Sequence, residues 1–273
     1  MAATAVPALA IAFWRNAMAG AVLWPVALVR CRDELRGLSP HERRLALLAG
    51  LLLALHFGTW VPSLTLTSVA SATALVATQP VWTALLASLR GVPVGARVWT
   101  GIGLATAGAL LLTGVDLQVS RAALAGDALA LLGGLFAAGY VVVGGEVRRS
   151  VSTTTYTTLC YSTAAALLLV VCVVGRQALS GYAAVDWLKL LAITLGAQLL
   201  GHSLFNVVLR RVSPTVVSLL ILLEIPGAAL IAAVFLDQVP SLMALPAAVL
   251  LLAGLGVVVS TGSRRVEPAI PVE

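Results

Sequence analysis

Charge is scarce in this sequence. Only 10% of its 273 residues are Asp, Glu, Lys or Arg, and the basic set is 16 Arg with a single Lys, Lys189. A soluble domain carries about 25% charged and about 45–50% apolar residues. Here 60% are hydrophobic and the mean hydropathy is +1.03. That balance excludes a soluble globular domain and predicts an all-α, polytopic membrane protein. The net charge of +6 does not predict nucleic-acid binding, because the arginines sit in short gaps between apolar runs. Cysteine is scarce too. Cys31, Cys160 and Cys172 show no paired or metal-like spacing and read as small apolar filler. A phosphate-binding loop is also lacking. GIGLATAG, Gly101 to Gly108, has the wrong spacing for one, follows no strand and lies inside an apolar span. GVPVG, Gly91 to Gly95, has helix-pairing spacing, but Pro93 makes it a turn.

What the sequence has in quantity is apolar runs of about 20 residues, the length of a membrane helix. Nine are predicted, at 7–29, 43–61, 68–89, 95–115, 124–147, 154–175, 186–209, 214–237 and 241–262. The first is not a signal peptide, since it lacks a basic leader and contains Arg15. Residues 263–273 are expected to be a short disordered polar tail. One set of connections holds Arg30, Arg32, Arg36, Arg43, Arg44, Arg90, Arg97, Arg148, Arg149, Arg210, Arg211, Arg264 and Arg265. The opposite set holds Arg15, Arg121, Arg176 and Lys189. The imbalance, 13 against 4, puts the first set and the C-terminus in the cytoplasm.

An internal repeat runs at a constant offset of 146 positions: Arg30 with Arg176, Gly50 with Gly196, His56 with His202, Pro80 with Pro226, Gly108 with Gly254. An odd number of helices per unit gives the halves opposite topology, the arrangement of inverted-repeat transporters. The helix at 124–147 opens the second half, and its counterpart would fall before Met1. The expected organisation is a first repeat over 1–116 with four helices and no opening helix, a second over 124–262 with five, and a cytoplasmic tail at 263–273. Either the natural start lies upstream of Met1, which is the favoured expectation, or the protein lacks one helix.

The chain is organised around Thr215–Val239, apolar for one bilayer crossing yet carrying Glu224 and Pro226 near its middle. A charge at that depth costs about 2.5–3.5 kcal/mol, so an intramembrane acid is a functional candidate. Glu224 is expected to bind a substrate ammonium or carry a proton; the structural alternative is a protonated or hydrogen-bonded acid. Pro80 and Pro226 are expected to kink their helices and free the carbonyls of Val76 and Leu222. Thr194, Gln198, His202 and Asn206 step by four along one helix and must face the bundle. His56 and Trp60 stand at the positions of His202 and Asn206. Gln79, Trp82 and Thr83 surround the first proline, and Tyr140 lies on a helix whose small-residue stripe, Gly126, Ala130, Gly133 and Ala137, reads as close packing. The site expected to contact substrate is thus Glu224, His202, Asn206, Gln198, Gln79, Trp82, His56, Trp60 and Tyr140. Each polar member has the alternative of an interhelical hydrogen bond, and each aromatic that of core filler. Arg15 reads as snorkelling to the outer interface, with a substrate carboxylate as the alternative. No metal site is expected, because no carboxylate or thiol joins the histidines at ligand spacing.

AFWRNAMAGAVLWP, TSVASATALVATQPVWTALLASL and SPTVVSLLILLEIPGAALIAAVFLDQV, with AGALLLTG and AGLGVVVSTG closing the two halves, resemble the EamA-type members of the drug/metabolite transporter superfamily. The resemblance covers nearly the whole chain. It implies ten helices in two inverted halves of five, and a carrier of small metabolites, often an exporter. The chain departs from the family in lacking the first helix and in having Arg90-Gly91 where the family usually has Gly-Glu after its fourth helix.

The function expected is a permease, exporting small metabolites such as amino acids or other small amphipathic solutes across a bacterial inner membrane by alternating access. The alternatives are a non-transporting scaffold or sensor and an integral-membrane lipid-modifying enzyme, for which no catalytic spacing is visible. No cofactor is expected. The expected partners are a small-molecule substrate, the lipid bilayer and a proton or ion gradient, without nucleic acid, the chain being a monomer or homodimer.

Overall fold

The computed structural model describes residues 4–113, 120–227 and 244–261. Within them every regular element is helical: α1 (Ala8–Arg30), α2 (Arg32–Gly37), α3 (Pro40–Leu66), α4 (Val69–Val76), α5 (Gln79–Leu89), α6 (Ala96–Thr113), α7 (Arg121–Val147), α8 (Thr153–Val174), α9 (Ala184–Ile193), a π-helical stretch (Thr194–His202), α10 (Ser203–Val208), α11 (Pro214–Ile221) and α12 (Ala244–Ser260). Six crossings are long and apolar enough to span a membrane, with α4 and α5 acting as one and α9, the π stretch and α10 as another. Ala96–Leu111, Pro214–Gly227 and Leu245–Ser260 are shorter apolar helices. The predicted segments 114–115, 228–237, 241–243 and 262, and the tail 263–273, lie outside the described residues.

Helix starts follow from capping. Ser39, Ser68, Ser120, Ser152 and Ser213 each accept a backbone N–H from the first turn that follows, and Ser39 with Glu42 closes a reciprocal capping box. Each such cap contributes about 1 kcal/mol. They explain why α3 begins at Pro40, ahead of the apolar run at 43.

In lipid, helices associate through close packing at small residues rather than through apolar burial alone. α6 and α12, which close the two halves, meet backbone to backbone: a Cβ at Gly108 would lie 2.5 Å from the Leu251 nitrogen, and one at Gly254 would lie 2.4 Å from the Ala105 nitrogen. The stripe on α7 does the same against α3, where a Cβ at Gly133 would reach within 3.0 Å of Trp60 Cβ. Two apolar clusters result. One joins α1, α3, α7 and α8; the other joins α5, α6, α11 and α12. The outward faces carry Leu and Val, as at Val29, Val170 and Val174, suited to lipid tails.

The two prolines do not kink continuous helices as expected. α4 stops at Val76, Ala77 and Thr78 form a turn, and Pro80 falls in the first turn of α5. Proline is at ease there, since a first-turn N–H has no intrahelical partner to lose. In the second half α11 stops at Ile221, Leu222 and Leu223 turn, and helix resumes at Glu224 with Pro226 in its first turn. The Leu222 carbonyl is not freed: it accepts the Ile225 N–H at 3.1 Å. The Val76 carbonyl points at α7, where a Cβ on Gly134 would come within 3.1 Å of it.

Candidate functional site

Both helix breaks line a cavity of about 350 Å³. The first break contributes Val76, Ala77 and Gln79; the second contributes Ile221, Leu222, Glu224 and Ile225. α7 contributes Ala137, Tyr140 and Val141, α3 contributes His56 and Trp60, and the π stretch with α10 contributes Ala197, His202, Phe205 and Asn206. Of the residues predicted to contact substrate, Glu224, His202, Asn206, Gln79, His56, Trp60 and Tyr140 line this space, and Gln198 and Trp82 do not.

The reasons are local. Gln198 is fully buried, accepts a hydrogen bond from Arg15 Nε at 2.8 Å and donates to Asn16 Oδ1 at 3.2 Å, so it ties the π stretch to α1. Trp82 points back along its own helix and donates Nε1 to Thr78 Oγ1 at 3.2 Å. Gln79 and Thr83 both reach Ser218 on α11, at 3.3 and 2.8 Å, and stitch the two broken helices together. Tyr140 and Asn206 pair across the cavity wall, Asn206 Nδ2 donating to the phenol oxygen at 2.7 Å. The stripe read from four-residue steps does face the bundle: Thr194, Gln198 and Asn206 are buried and His202 is partly so.

The paired histidines differ. His56 Nδ1 donates to the Gly133 carbonyl at 2.9 Å, and its ring stacks on Trp60 with centroids 5.7 Å apart. That bond leaves Nε2 as the acceptor of the neutral ring. His202 sits edge-on to Phe57 at 5.5 Å and 6.2 Å from the Tyr140 ring. Among the described residues it makes no hydrogen bond through its ring.

Arg15 departs from its interfacial reading. It lies two turns inside α1, about 10 Å along the axis, is only 2% exposed, holds its Cζ 4.1 Å above the Phe57 ring and lines the cavity. The signal for this was the adjacent polar pair Arg15-Asn16 inside an apolar run, since two neighbouring polar residues cannot both escape to one interface. Phe57 and Phe205, apolar residues at cavity level, carried no such signal.

Chemically the site is an apolar chamber with few polar groups, the usual form of a small-molecule pocket. Among the described residues its lining includes one carboxylate, Glu224, and one guanidinium, Arg15. The ion pairs among the described residues are elsewhere, Arg149 with Glu146 and Lys189 with Asp186.

Fold and cavity together define a helical membrane protein of two related halves with a largely apolar internal cavity. The model of the EamA-like transporter family matches residues 1–114 and 124–260, and the chain belongs to that family, whose members are membrane transporters of the drug/metabolite type rather than enzymes. No curated protein matches the chain. A solved crystal structure of a protein superposes with a TM-score of 0.77 over 95% of this chain and 90% of that one, at 20% identity, which shows a shared fold.

Proposed function

We propose that the protein is a secondary carrier of the bacterial inner membrane, with its C-terminus in the cytoplasm, exporting small metabolites such as amino acids or other small amphipathic solutes. The halves rock about the chamber and open it alternately to each side. The observation that supports this most is that both helix breaks and the intramembrane Glu224 wall one cavity. Broken helices at membrane depth are tolerated where they line a cavity, and an acid there is a ligand for a cation or a proton. Asn206, Tyr140, His202 and Gln79 shape what fits. An ion or proton gradient is the drive proposed, with uncoupled, facilitated export as the alternative.

The test compares the medium of cells expressing the protein with that of cells expressing Glu224→Gln at equal membrane levels. A solute that accumulates outside with the first and not the second identifies the cargo and the acid's role together. Unchanged export and unchanged pH dependence in Glu224→Gln would remove Glu224 from the mechanism. No flux of any solute, outward or inward, would remove the carrier reading itself.

A further inference from the structure

Among the described residues, Arg15 has no carboxylate in ion-pair contact. Its side chain is 98% buried and lines the chamber. Nε is taken by Gln198 Oε1 at 2.8 Å, and Gln198 is pinned in turn by Asn16 at 3.2 Å. Phe57 supports the guanidinium plane from below, at 4.1 Å. These contacts fix the orientation of the fork and use only one of its nitrogens. Nη1 and Nη2 make no hydrogen bond among the described residues, and no carboxylate there lies within ion-pair distance of them. Buried charges are paired or they are costly. Glu224 shares the chamber but is not in contact with Arg15.

We propose that Arg15 is the anion anchor of the chamber, its two terminal nitrogens holding the carboxylate of the transported solute. The assignment rests on the carrier reading above. A guanidinium fork matches a carboxylate with two parallel hydrogen bonds, and the aromatic support and the Gln198 bond preorganise it for that partner. The cargo is therefore a small carboxylate-bearing solute whose apolar body lies among Ala137, Val141, Phe205 and Ile221. A solute that also carries an amine spans the gap between Arg15 and Glu224, satisfying the two unpaired charges at once.

The test measures the thermal unfolding midpoint of the purified protein in lipid nanodiscs. The probes are the proteinogenic L-amino acids, the amines left when their carboxylates are removed, and short straight-chain monocarboxylates. A bound ligand raises the midpoint by mass action. The expected result is that a carboxylate-bearing compound stabilises and its carboxylate-free amine does not. In Arg15→Gln the same compound binds about 10- to 100-fold more weakly, the usual worth of a charge-assisted hydrogen bond, and Arg15→Lys recovers part of it. Stabilisation by the amine equal to that by the acid, an undiminished shift in Arg15→Gln, or no stabilisation by any carboxylate in the panel overturns the proposal. Should Arg15→Gln fail to fold, the comparison of acid and amine on the unaltered protein still decides. Export of a solute without a carboxylate would overturn this assignment and leave the carrier reading standing.

Discussion

The crossings that carry the paired histidines, α3 and α9 through α10, share a sequence pattern but not an environment. In α3, 44% of the apolar window is buried; in the second crossing 17% is. α3 lies against both α7 and α8, whereas its counterpart packs chiefly on α1 and leaves Leu188, Leu195, Leu200, Leu204 and Val207 between 50% and 70% exposed. A Cβ at Gly50 would lie 2.5 Å from Thr163 Cβ and 2.8 Å from the Cys160 carbonyl, while one at Gly196 would meet nothing within 4 Å among the described residues. The covered copy is a regular α-helix; the uncovered one widens into a π-helix, a form often found at functional sites. The same residue at the same repeat position is a contact in one half and a gap in the other. The neighbour, not the glycine or the histidine, decides which.

The largest test of that contrast is steric. Gly50→Leu forces α3 away from α8, because the Cys160 carbonyl is backbone and cannot rotate aside. Overpacking of this kind costs about 3 kcal/mol, the upper end of the usual range. Gly196→Leu should change stability by no more than about 0.5 kcal/mol, as surface substitutions do. Thermal unfolding in a common detergent reads both. Equal losses would mean that the two crossings are equally covered, and the comparison would fail.

A smaller effect separates the histidines. His56→Ala removes the bond to the Gly133 carbonyl and the stack on Trp60, with an expected loss of about 1–1.5 kcal/mol. His202→Ala removes no hydrogen bond seen here and should leave the unfolding midpoint closer to that of the unaltered protein, while changing solute export more than His56→Ala does. A stability loss concentrated at His202, or export sensitive to His56 alone, would reverse the division of labour between a structural and a cavity-facing ring.

Much of this was legible in the sequence for a physical reason. Membrane helices must satisfy their own backbone, so apolar length finds them, and polar residues inside them must face protein, so the four-residue stripe and Glu224 point inward. Periodicity fixes a face, however, and not the neighbour across it. Gln198 and His202 share a stripe, yet one meets Arg15 and the other the open chamber. Trp82 is three residues from the chamber-lining Gln79 and folds back on Thr78 instead. Pro80 and Pro226 marked the right places, but a proline in the sequence does not say whether it bends a helix or begins one. The π-helical winding left no trace in composition. Arg15 was misplaced because a long side chain can snorkel; only the aromatic face of Phe57 and the amide of Gln198, both distant in sequence, hold it inside.

The smallest expected effect concerns the connections rather than the crossings, and it sharpens the same contrast. After α1 the chain is tied down by an acid: Glu34 accepts from the Ser152 backbone N–H at 2.5 Å, from Thr155 Oγ1 at 2.6 Å and from the Ser152 hydroxyl. After α8, the corresponding connection is held by a neutral bond, Trp14 Nε1 to the Leu179 carbonyl at 3.0 Å. Partial burial alone would raise the Glu34 pKa, but the bonds from Ser152 and Thr155, helped by the charge of Arg148, outweigh it and hold the carboxyl below its ordinary value of 4.5. A depressed carboxyl stabilises the fold above its unfolded pKa, and that contribution disappears as pH falls through the folded one. The unfolding midpoint should therefore drop on acidification below about pH 4.5, and less so in Glu34→Gln. Glu34 is only partly buried, so solvent screening keeps the difference to about 1 kcal/mol. An identical acid profile in the two proteins would show that the α1–α3 connection is no more dependent on charge than its counterpart after α8.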